Sequence, residues 1–307
     1  MSKQIRTVAI VGACILALGI IVGLAGFMHG GYKPLSIGLD GVRVYSDADL
    51  SSYDVLDETY ASFGSIEVDT STIPVTLQEG TEFSVTGKNL KSNGGLKAAA
   101  SGGILKVSSQ KPSVRAFSFG PFGYGSQSRL VITWPAGAKF ESVSIRDDVG
   151  SLRIEGLNAQ DFYSSVDTGE QRISGSSLGR MKTTMNLGSL TIADTSVNTA
   201  DIGQDSGSAN ISGFSSQGLT MNNDLGSISI EGTLHGASKV KCDTGSINIR
   251  LNQSIGDISY SVSSDVGSAK VVGGNGATGY PKVQITGSPD SISAESNVGS
   301  VTITCLK

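Results

Sequence analysis

Two Asp-Thr-Gly triplets are the residues of this sequence that most directly suggest a chemistry. They lie at Asp167-Thr168-Gly169 and at Asp243-Thr244-Gly245. Aspartic proteases use two aspartates of this kind, whose carboxyl groups share one proton. The triplets are separated by four periods of a 19-residue repeat that runs through this half of the chain. Whether they can meet therefore depends on the repeat that positions them.

The repeat is a short motif: an acidic or amide residue, any residue, glycine, usually serine, and then alternating apolar and polar residues. The glycines from Gly150 to Gly245 recur with a constant 19-residue period, and two further copies follow after insertions, at Gly267 and Gly299. A fixed period of this kind indicates stacked supersecondary units. The aspartates and glycines of this turn column are Asp148, Gly150, Asp167, Gly169, Gly188, Asp205, Gly207, Asp224, Gly226, Asp243, Gly245, Asp265, Gly267 and Gly299.

The residues after each glycine alternate with the period of a β-strand. In the first copy the apolar positions are Leu152 and Ile154, and an isoleucine or valine recurs four residues after every glycine of the column. One face of this strand is therefore predicted to be buried. A weaker strand follows, with inward positions at Phe162, Ser164 and Val166. These patterns predict an all-β fold, a single-stranded β-solenoid of 19-residue rungs stacked ~4.8 Å apart.

Such a solenoid separates the two triplets by four rungs, or ~19 Å, so that they cannot form a protease dyad. The column has a simpler explanation, because Asp or Asn before a turn glycine accepts hydrogen bonds from backbone N–H groups two residues on. Ca²⁺ binding by the stacked carboxylates stays open, although the sequence lacks the glycine-rich nonapeptide of calcium-binding β-rolls. We predict no cofactor.

Histidine and cysteine offer no second site. Neither His29 nor His235 has a further His or Cys at metal-ligand spacing. Cys242 falls in the inward column of Val166, Cys305 falls in the turn column of Gly156, and the Gly267 rung separates their rungs. We therefore expect two unpaired thiols. Clustered carboxylates beside aromatic platforms, as a carbohydrate-active enzyme would need, are not evident. We predict a protein without catalytic residues.

Residues 110–127 depart from the 19-residue pattern, because they have no repeat register and are rich in aromatic residues and glycine. Aromatic side chains are enriched at the cores of protein interfaces, which makes this segment a candidate partner-binding loop. The segment could equally cap an open edge of the solenoid. The residues of the candidate loop are Arg115, Phe117, Phe119, Phe122 and Tyr124.

A membrane anchor is predicted at the start of the chain. Val8–Met28 is an unbroken run without a charge, amide or hydroxyl group, and as a helix it is long enough to cross a bilayer. Lys3 and Arg6 precede it, so the positive-inside rule predicts a single span with the N-terminus cytoplasmic and the C-terminal domain extracytoplasmic. A cleaved signal peptide is the alternative. The predicted boundaries are 1–7 cytoplasmic, 8–28 membrane, 29–59 linker and solenoid entry, and 60–307 solenoid, with irregular rungs over 60–147 and regular rungs over 148–305.

The sequence resembles a family of bacterial surface proteins called putative adhesins. The residues that carry the resemblance are Val131-Ile-Thr-Trp-Pro135-Ala-Gly137 and the serial Asp-x-Gly-Ser strands after it. The resemblance implies a membrane-anchored, exported β-solenoid whose shared domain has no established function.

We therefore predict a binding or scaffold protein of the cell envelope whose partner is an envelope protein, a cell-wall polymer or itself. A self-assembling β-helical scaffold is the alternative, and a solenoid carbohydrate-active enzyme is a weaker one. The net charge of −4 disfavours nucleic acid as a partner.

Overall fold

The computed structural model describes residues 18–19, 35–38, 41–44, 53–90, 95–109, 115–119, 128–273 and 282–307. The strands are, in chain order, β1 Leu35–Gly38, β2 Gly41–Val44, β3 Tyr53–Tyr60, β4 Ser65–Thr70, β5 Val75–Gly80, β6 Phe83–Leu90, β7 Lys97–Ser101, β8 Ile104–Ser108, β9 Arg115–Phe119, β10 Arg129–Pro135, β11 Phe140–Glu155, β12 Asn158–Ser174, β13 Ser177–Ala193, β14 Ser196–Ser216, β15 Leu219–Leu234, β16 Ala237–Leu251, β17 Ser259–Val272, β18 Val283–Gln284 and β19 Ser291–Cys305. A 3-10 turn lies at Ile255–Asp257.

The predicted membrane segment, residues 8–28, lies outside the described residues except at 18–19. None of the helices in the described residues is long and apolar enough to cross a bilayer. The anchor therefore stays a prediction from the sequence.

The chain forms two compact units. The smaller one contains residues 1–52 and 112–127, and its described strands form an antiparallel sheet in the order β2-β1-β9. The larger one contains residues 53–111 and 128–307 and holds all the other strands.

The larger unit is built on eight parallel rungs, which are β11 to β17 and β19. Neighbouring rungs pair with like residues opposite one another, so that Ile154 lies opposite Ile173 and Ile173 opposite Ile192. Each rung is one continuous strand of 14 to 21 residues that runs through its motif glycine. The sequence predicted two strands joined by a turn at this point, and the structure shows an unbroken strand instead.

The core lies along the inward columns that the alternation predicted. Ile154, Ile173 and Ile230 are fully buried, and so is Phe162 in the first half of its rung. Each fully buried side chain of this size stabilises the fold by ~1.5–3 kcal/mol. Because like residues stack, each rung buries its apolar face mainly against its two neighbours.

The order of the last rungs differs from the order of the sequence. β19 pairs with β16 on one side and with β17 on the other, so that the final strand lies between two earlier ones. Asp290, the residue before β19, accepts hydrogen bonds from Gly236 N at 2.8 Å and Gln253 Nε2 at 3.3 Å. The same carboxylate lies 2.9 Å from His235 Nδ1. These contacts fix the start of β19 beside the connection from β15 to β16.

The exchanged order of β17 and β19 places the two cysteines on adjacent rungs, but both of them stay free thiols. The rung of Cys305 is adjacent to that of Cys242, and the prediction that the Gly267 rung separates them was wrong. Cys242 lies opposite Ser296, and Cys305 lies opposite Leu251 at the far end of the same strand pair. Both thiols are buried and unpaired, as predicted. Burial raises the pKa of Cys305 to about 11, which keeps this thiol protonated.

Irregular rungs precede the regular ones. β4 and β5 together form one broken rung against β11, and β8 and β10 form the next one outward. β4, which follows Gly64, and β8, which follows Gly103, therefore lie on rungs. Antiparallel strands form the edges of the sheet at this end. β7 pairs with β8, β6 pairs with β10, and β3 pairs with β6.

Candidate functional site

The glycines of the turn column are required by the close approach of neighbouring rungs. From Gly169 onward their φ angles lie between 134° and 147°, a region that is essentially restricted to glycine. A Cβ atom added at Gly207 would overlap the carbonyl oxygen of Gly188 on the neighbouring rung. The column therefore maintains the bend of the rungs and the contact between them.

A polar column, buried except at Ser264, lies beside these glycines, and sequence reasoning missed it. Each of its members donates a hydrogen bond to the carbonyl oxygen of a column glycine on the neighbouring rung, at 2.9 to 3.6 Å. The pairs are Gln204 with Gly188, Asn223 with Gly207, Cys242 with Gly226, Ser296 with Gly245 and Ser264 with Gly299. A buried carbonyl without a partner is costly, so these side chains stabilise the bend.

The aspartates of the two Asp-Thr-Gly triplets do not meet. Asp167 and Asp243 lie on β12 and β16, four rungs apart. Each accepts a hydrogen bond from the asparagine of the next rung, Asp167 from Asn186 at 3.4 Å and Asp243 from Asn297 at 3.2 Å. Within the part of the chain that the structure describes, no group of three or more His, Cys, Asp and Glu side chains is arranged to hold a metal ion.

The candidate aromatic loop is only partly described. The backbone of β9 places Phe119 opposite Leu35, Phe117 opposite Ile37 and Arg115 opposite Gly38. Residues 115–119 thus form a strand of the three-stranded sheet and not a rung. Phe122 and Tyr124 lie outside the described residues, and a binding role for this segment stays a prediction.

An open groove on the outer face of the rungs is the candidate site that the geometry adds. Two cavities of about 520 and 480 Å³ share Thr220 and Ala237 in their linings and extend across β12 to β17 and β19. Cavities of this size match those that hold small ligands. The groove follows one outward row of small residues, namely Thr199, Gly218, Ala237, Ser291 and Ser259.

Gly218 widens this groove without being needed for packing. A Cβ atom at Gly218 would contact its neighbours only at 3.6 Å and beyond, and its backbone is outside the left-handed region. By contrast, the glycines of the turn column leave no room for a side chain. Because packing does not require glycine at position 218, the lack of a side chain there is explained by its effect on the groove, which it keeps open.

The end of the groove toward β12 is polar. Arg180 donates two hydrogen bonds to Asp161, from Nε at 2.6 Å and from Nη2 at 2.8 Å. These bonds hold the guanidinium in place and lower the pKa of Asp161. Lys182 lies 3.9 Å from Asp201, and the ring of Tyr163 is 39% exposed beside them. Charged groups and an aromatic edge are thus fixed at one end of the groove.

The match to a known family covers most of the chain. A model of the family described as Toastrack DUF4097 matches residues 63–304. The chain belongs to this family. The Toastrack match spans the irregular and regular rungs alike, and it includes every residue of the groove. No curated protein matched the chain.

Three of the solved structures that are similar to this Toastrack chain come from Bacteroides and Parabacteroides species. A putative adhesin from Bacteroides fragilis is 12% identical with a TM-score of 0.43, over 83% of this chain and 97% of that one. A putative lipid binding protein from Parabacteroides distasonis is 10% identical with a TM-score of 0.39, over 84% and 98%. A putative adhesin from Parabacteroides merdae is 11% identical with a TM-score of 0.36, over 84% and 97%. None of these names denotes an enzyme.

The groove of this Toastrack chain was not visible in the sequence. Its floor consists of alanine, serine, threonine and glycine, which are common throughout the chain and resemble any solvated strand face. The constant offset between rungs, together with the exchanged position of β19, brings these small residues into one row. Only the pairing of the strands identifies that row.

Proposed function

We propose that this Toastrack protein is a non-enzymatic binding protein of the cell envelope that holds an extended ligand in the outer groove. The observation that carries the proposal is the open row of small residues, bounded at one end by fixed charges and a partly exposed tyrosine. The rungs supply a rigid floor, because those from β12 to β16 and β19 pair with a neighbouring rung along both edges. A preformed site of this kind binds with little loss of conformational entropy.

The proposal includes a membrane anchor and an extracytoplasmic location for the rungs. Its support is the apolar run Val8–Met28 with Lys3 and Arg6 before it. A charged side chain within the run would be expensive in a bilayer, and none is present. A binding protein attached in this way presents its groove to the envelope polymers and proteins around it.

Filling the groove is expected to abolish binding and to leave the fold intact. Gly218→Val places a branched side chain over the groove floor, where the backbone tolerates it. We expect at least ~10-fold less labelled envelope material to be retained by the full-length variant in lipid nanodiscs than by the wild type, a loss of ~1.4 kcal/mol or more. The melting temperatures of the Gly218→Val variant and the wild type should be equal. Gly203→Val is the matched control, since a Cβ atom at Gly203 would meet only Thr184 Cγ2, at 3.9 Å, and Gly203 lies outside the groove lining. Equal retention by the Gly218 variant and the wild type would contradict the proposed site.

Protease added to intact cells is expected to remove the rungs and to spare only the anchor. The reason is the orientation that Lys3 and Arg6 impose on the span. Cells that carry the full-length chain with an epitope after Lys307 provide the measurement, with a cytoplasmic protein as the control for lysis. An epitope that survives digestion in intact cells and is lost only after lysis would overturn the proposed location.

A further inference from the structure

In the part of the chain that the structure describes, the outer edge of β17 is open over most of its length. β18 pairs only with Tyr260 and Ser261, and the carbonyl oxygen of Lys282 accepts a hydrogen bond from Val262 N at 2.8 Å. Beyond this point, residues 263–272 pair with β19 on one side and with no other described strand. An edge of this kind offers a row of backbone N–H and C=O groups to a further strand.

The bend at Gly267, whose φ is 146°, restricts which strand can pair along this edge. The inward side chains are Val262 and Ser264 before the glycine and Ala269 and Val271 after it, so that the alternation changes its phase where the strand turns. A straight strand from another protein can follow only one arm of the bent edge. A second copy of β17, turned about a two-fold axis through the bend, follows both arms, because the axis exchanges them. The shape of the edge therefore favours a second copy of this chain.

The charges of this edge are arranged so that a second copy complements them. Asp265 and Lys270 are the charged residues of the segment 263–272, and both are exposed. Neither of them forms an ion pair with another described residue. In an antiparallel pair centred between Gly267 and Ser268, Asp265 of each copy lies opposite Lys270 of the other. Opposite charges that face each other across a strand pair are stabilising, and like charges are destabilising.

The same register also aligns the faces of the two strands. Residues directly opposite each other in an antiparallel pair have their side chains on the same face. In this register Ser264 lies opposite Val271, and both belong to the inward columns, while the outward Asp265 lies opposite the outward Lys270. A shift by one residue would place inward side chains opposite outward ones and would separate the charges. One register therefore satisfies both the faces and the charges.

The opposite end of the larger unit has no edge that matches β17. Its outer strands β3 and β7 are eight and five residues long, and they pair antiparallel with β6 and β8. A head-to-tail stack of copies would have to join a bent rung to these short strands. A contact of β17 with a second β17 instead uses the same surface on both copies, and such a contact closes after two of them.

We propose that two copies of this chain form a dimer in which their β17 strands pair antiparallel over residues 263–272, with Asp265 of each copy opposite Lys270 of the other. Charged side chains on an edge strand oppose pairing with most other strands, and here they select a partner that carries the opposite charges at the matching positions. The interface lies outside the groove lining, so that the dimer does not depend on the proposed function.

Zero-length cross-linking of the full-length protein in detergent micelles tests the register directly. A carbodiimide joins a carboxylate to an amine that it contacts. In an equal mixture of copies labelled with nitrogen-15 and unlabelled copies, we expect a linked pair of peptides that joins Asp265 of one isotope to Lys270 of the other. The absence of this mixed-isotope product, or its replacement by products that join the copies only outside β17, would overturn the proposed dimer.

Charge reversal separates this register from other modes of association. Asp265→Lys and Lys270→Asp each place like charges opposite one another at two positions of the dimer. Each variant is therefore expected to raise the dissociation constant of the dimer at least tenfold, measured by sedimentation in the same detergent. An equal mixture of the two variants should dimerise like the wild type, because every facing pair then consists of opposite charges. Asp205→Lys on the inner rung β14 is the matched control and should leave the dissociation constant unchanged.

Two results of the charge reversal would contradict the proposed interface. One is dimerisation of either single variant with the dissociation constant of the wild type. Association through the apolar segment 8–28 would give this result, since neither substitution lies there. The other is a mixture that stays monomeric although both variants keep the circular dichroism of the wild type. Restored dimerisation in the mixture also shows that each variant is folded.

Discussion

Gly207→Ala is expected to lower the free energy of unfolding by at least ~3 kcal/mol, among the largest effects that single substitutions produce. The added methyl group overlaps the carbonyl oxygen of Gly188, and alanine is strained at a φ of 134°. Relief of the overlap requires two rungs to separate, which breaks backbone hydrogen bonds on both sides. Chemical denaturation, followed by the fluorescence of the single, fully buried Trp134 and by the circular dichroism of the strands, measures the effect.

Gly203→Ala is the control for this prediction, because Gly203 lies four residues earlier on the same strand. A Cβ atom at Gly203 would meet only Thr184 Cγ2, at 3.9 Å, and its backbone is outside the left-handed region. We expect a change within about 0.5 kcal/mol at this position. Equal stabilities for the two alanine variants would show that the contact between column glycines does not determine the rung geometry.

Asp147→Asn is expected to remove the change in the free energy of unfolding with pH that ionisation of Asp147 causes. Asp147 is 1% exposed at the first regular rung. Its Oδ1 accepts from Thr70 Oγ1 at 3.1 Å, and its buried Oδ2 has no hydrogen-bond partner among the described residues. Burial, opposed in part by the Thr70 hydrogen bond, raises the pKa of Asp147 to about 6. The folded protein therefore holds this proton between pH ~4 and ~6, where the unfolded chain releases it.

Because the folded state binds more protons in that window, this carboxyl contributes stability at pH 4 that is lost as the pH rises through 6. The loss is about 2 to 3 kcal/mol, at ~1.4 kcal/mol for each pKa unit. The asparagine variant should match the wild type near pH 4 and be more stable by about that amount at pH 7. Denaturation at both pH values measures the difference, and Asp205→Asn on the exposed turn column is the control. A wild-type-like pH profile for the Asp147 variant would contradict the buried-carboxyl explanation.

The regular part of the fold could be predicted from the sequence because its signals are local and repeated. Each glycine of the turn column precedes an alternating strand, and Ile154 and its equivalents identify the inward face without knowledge of the neighbours. The polar column was not predictable in this way. Gln204 and Asn223 look like interruptions of an apolar pattern, and only the orientation of the glycine carbonyls explains why amides belong there.

The position of β19 could not be predicted, because every copy of the motif presents the same pairing pattern to its neighbours. The pairing pattern alone would allow any rung to lie beside any other. The observed order of the rungs depends on the connecting segments and on a few side chains. Asp290 fixes the entry to β19 through His235 and Gly236. Asn297 then lies between Asp243 and Asp265, where sequence order would have stacked two carboxylates directly on each other. One end of the groove was missed for the same reason, since the places of Ser291 and Ser259 in its row depend on this order.

The exchanged position of β19 also determines where this end of the array can open. In an array whose rungs follow the sequence, the last strand is the outermost one and can detach alone. Here β17 is outermost among the rungs, and β19 is held along both edges. Local unfolding at this end must therefore begin with β18 and β17. β17 is an internal segment tethered at both of its ends, and detachment of β19 requires β17 to leave first. A segment tethered at both ends gains less conformational entropy on release than a free end does, so this arrangement resists fraying.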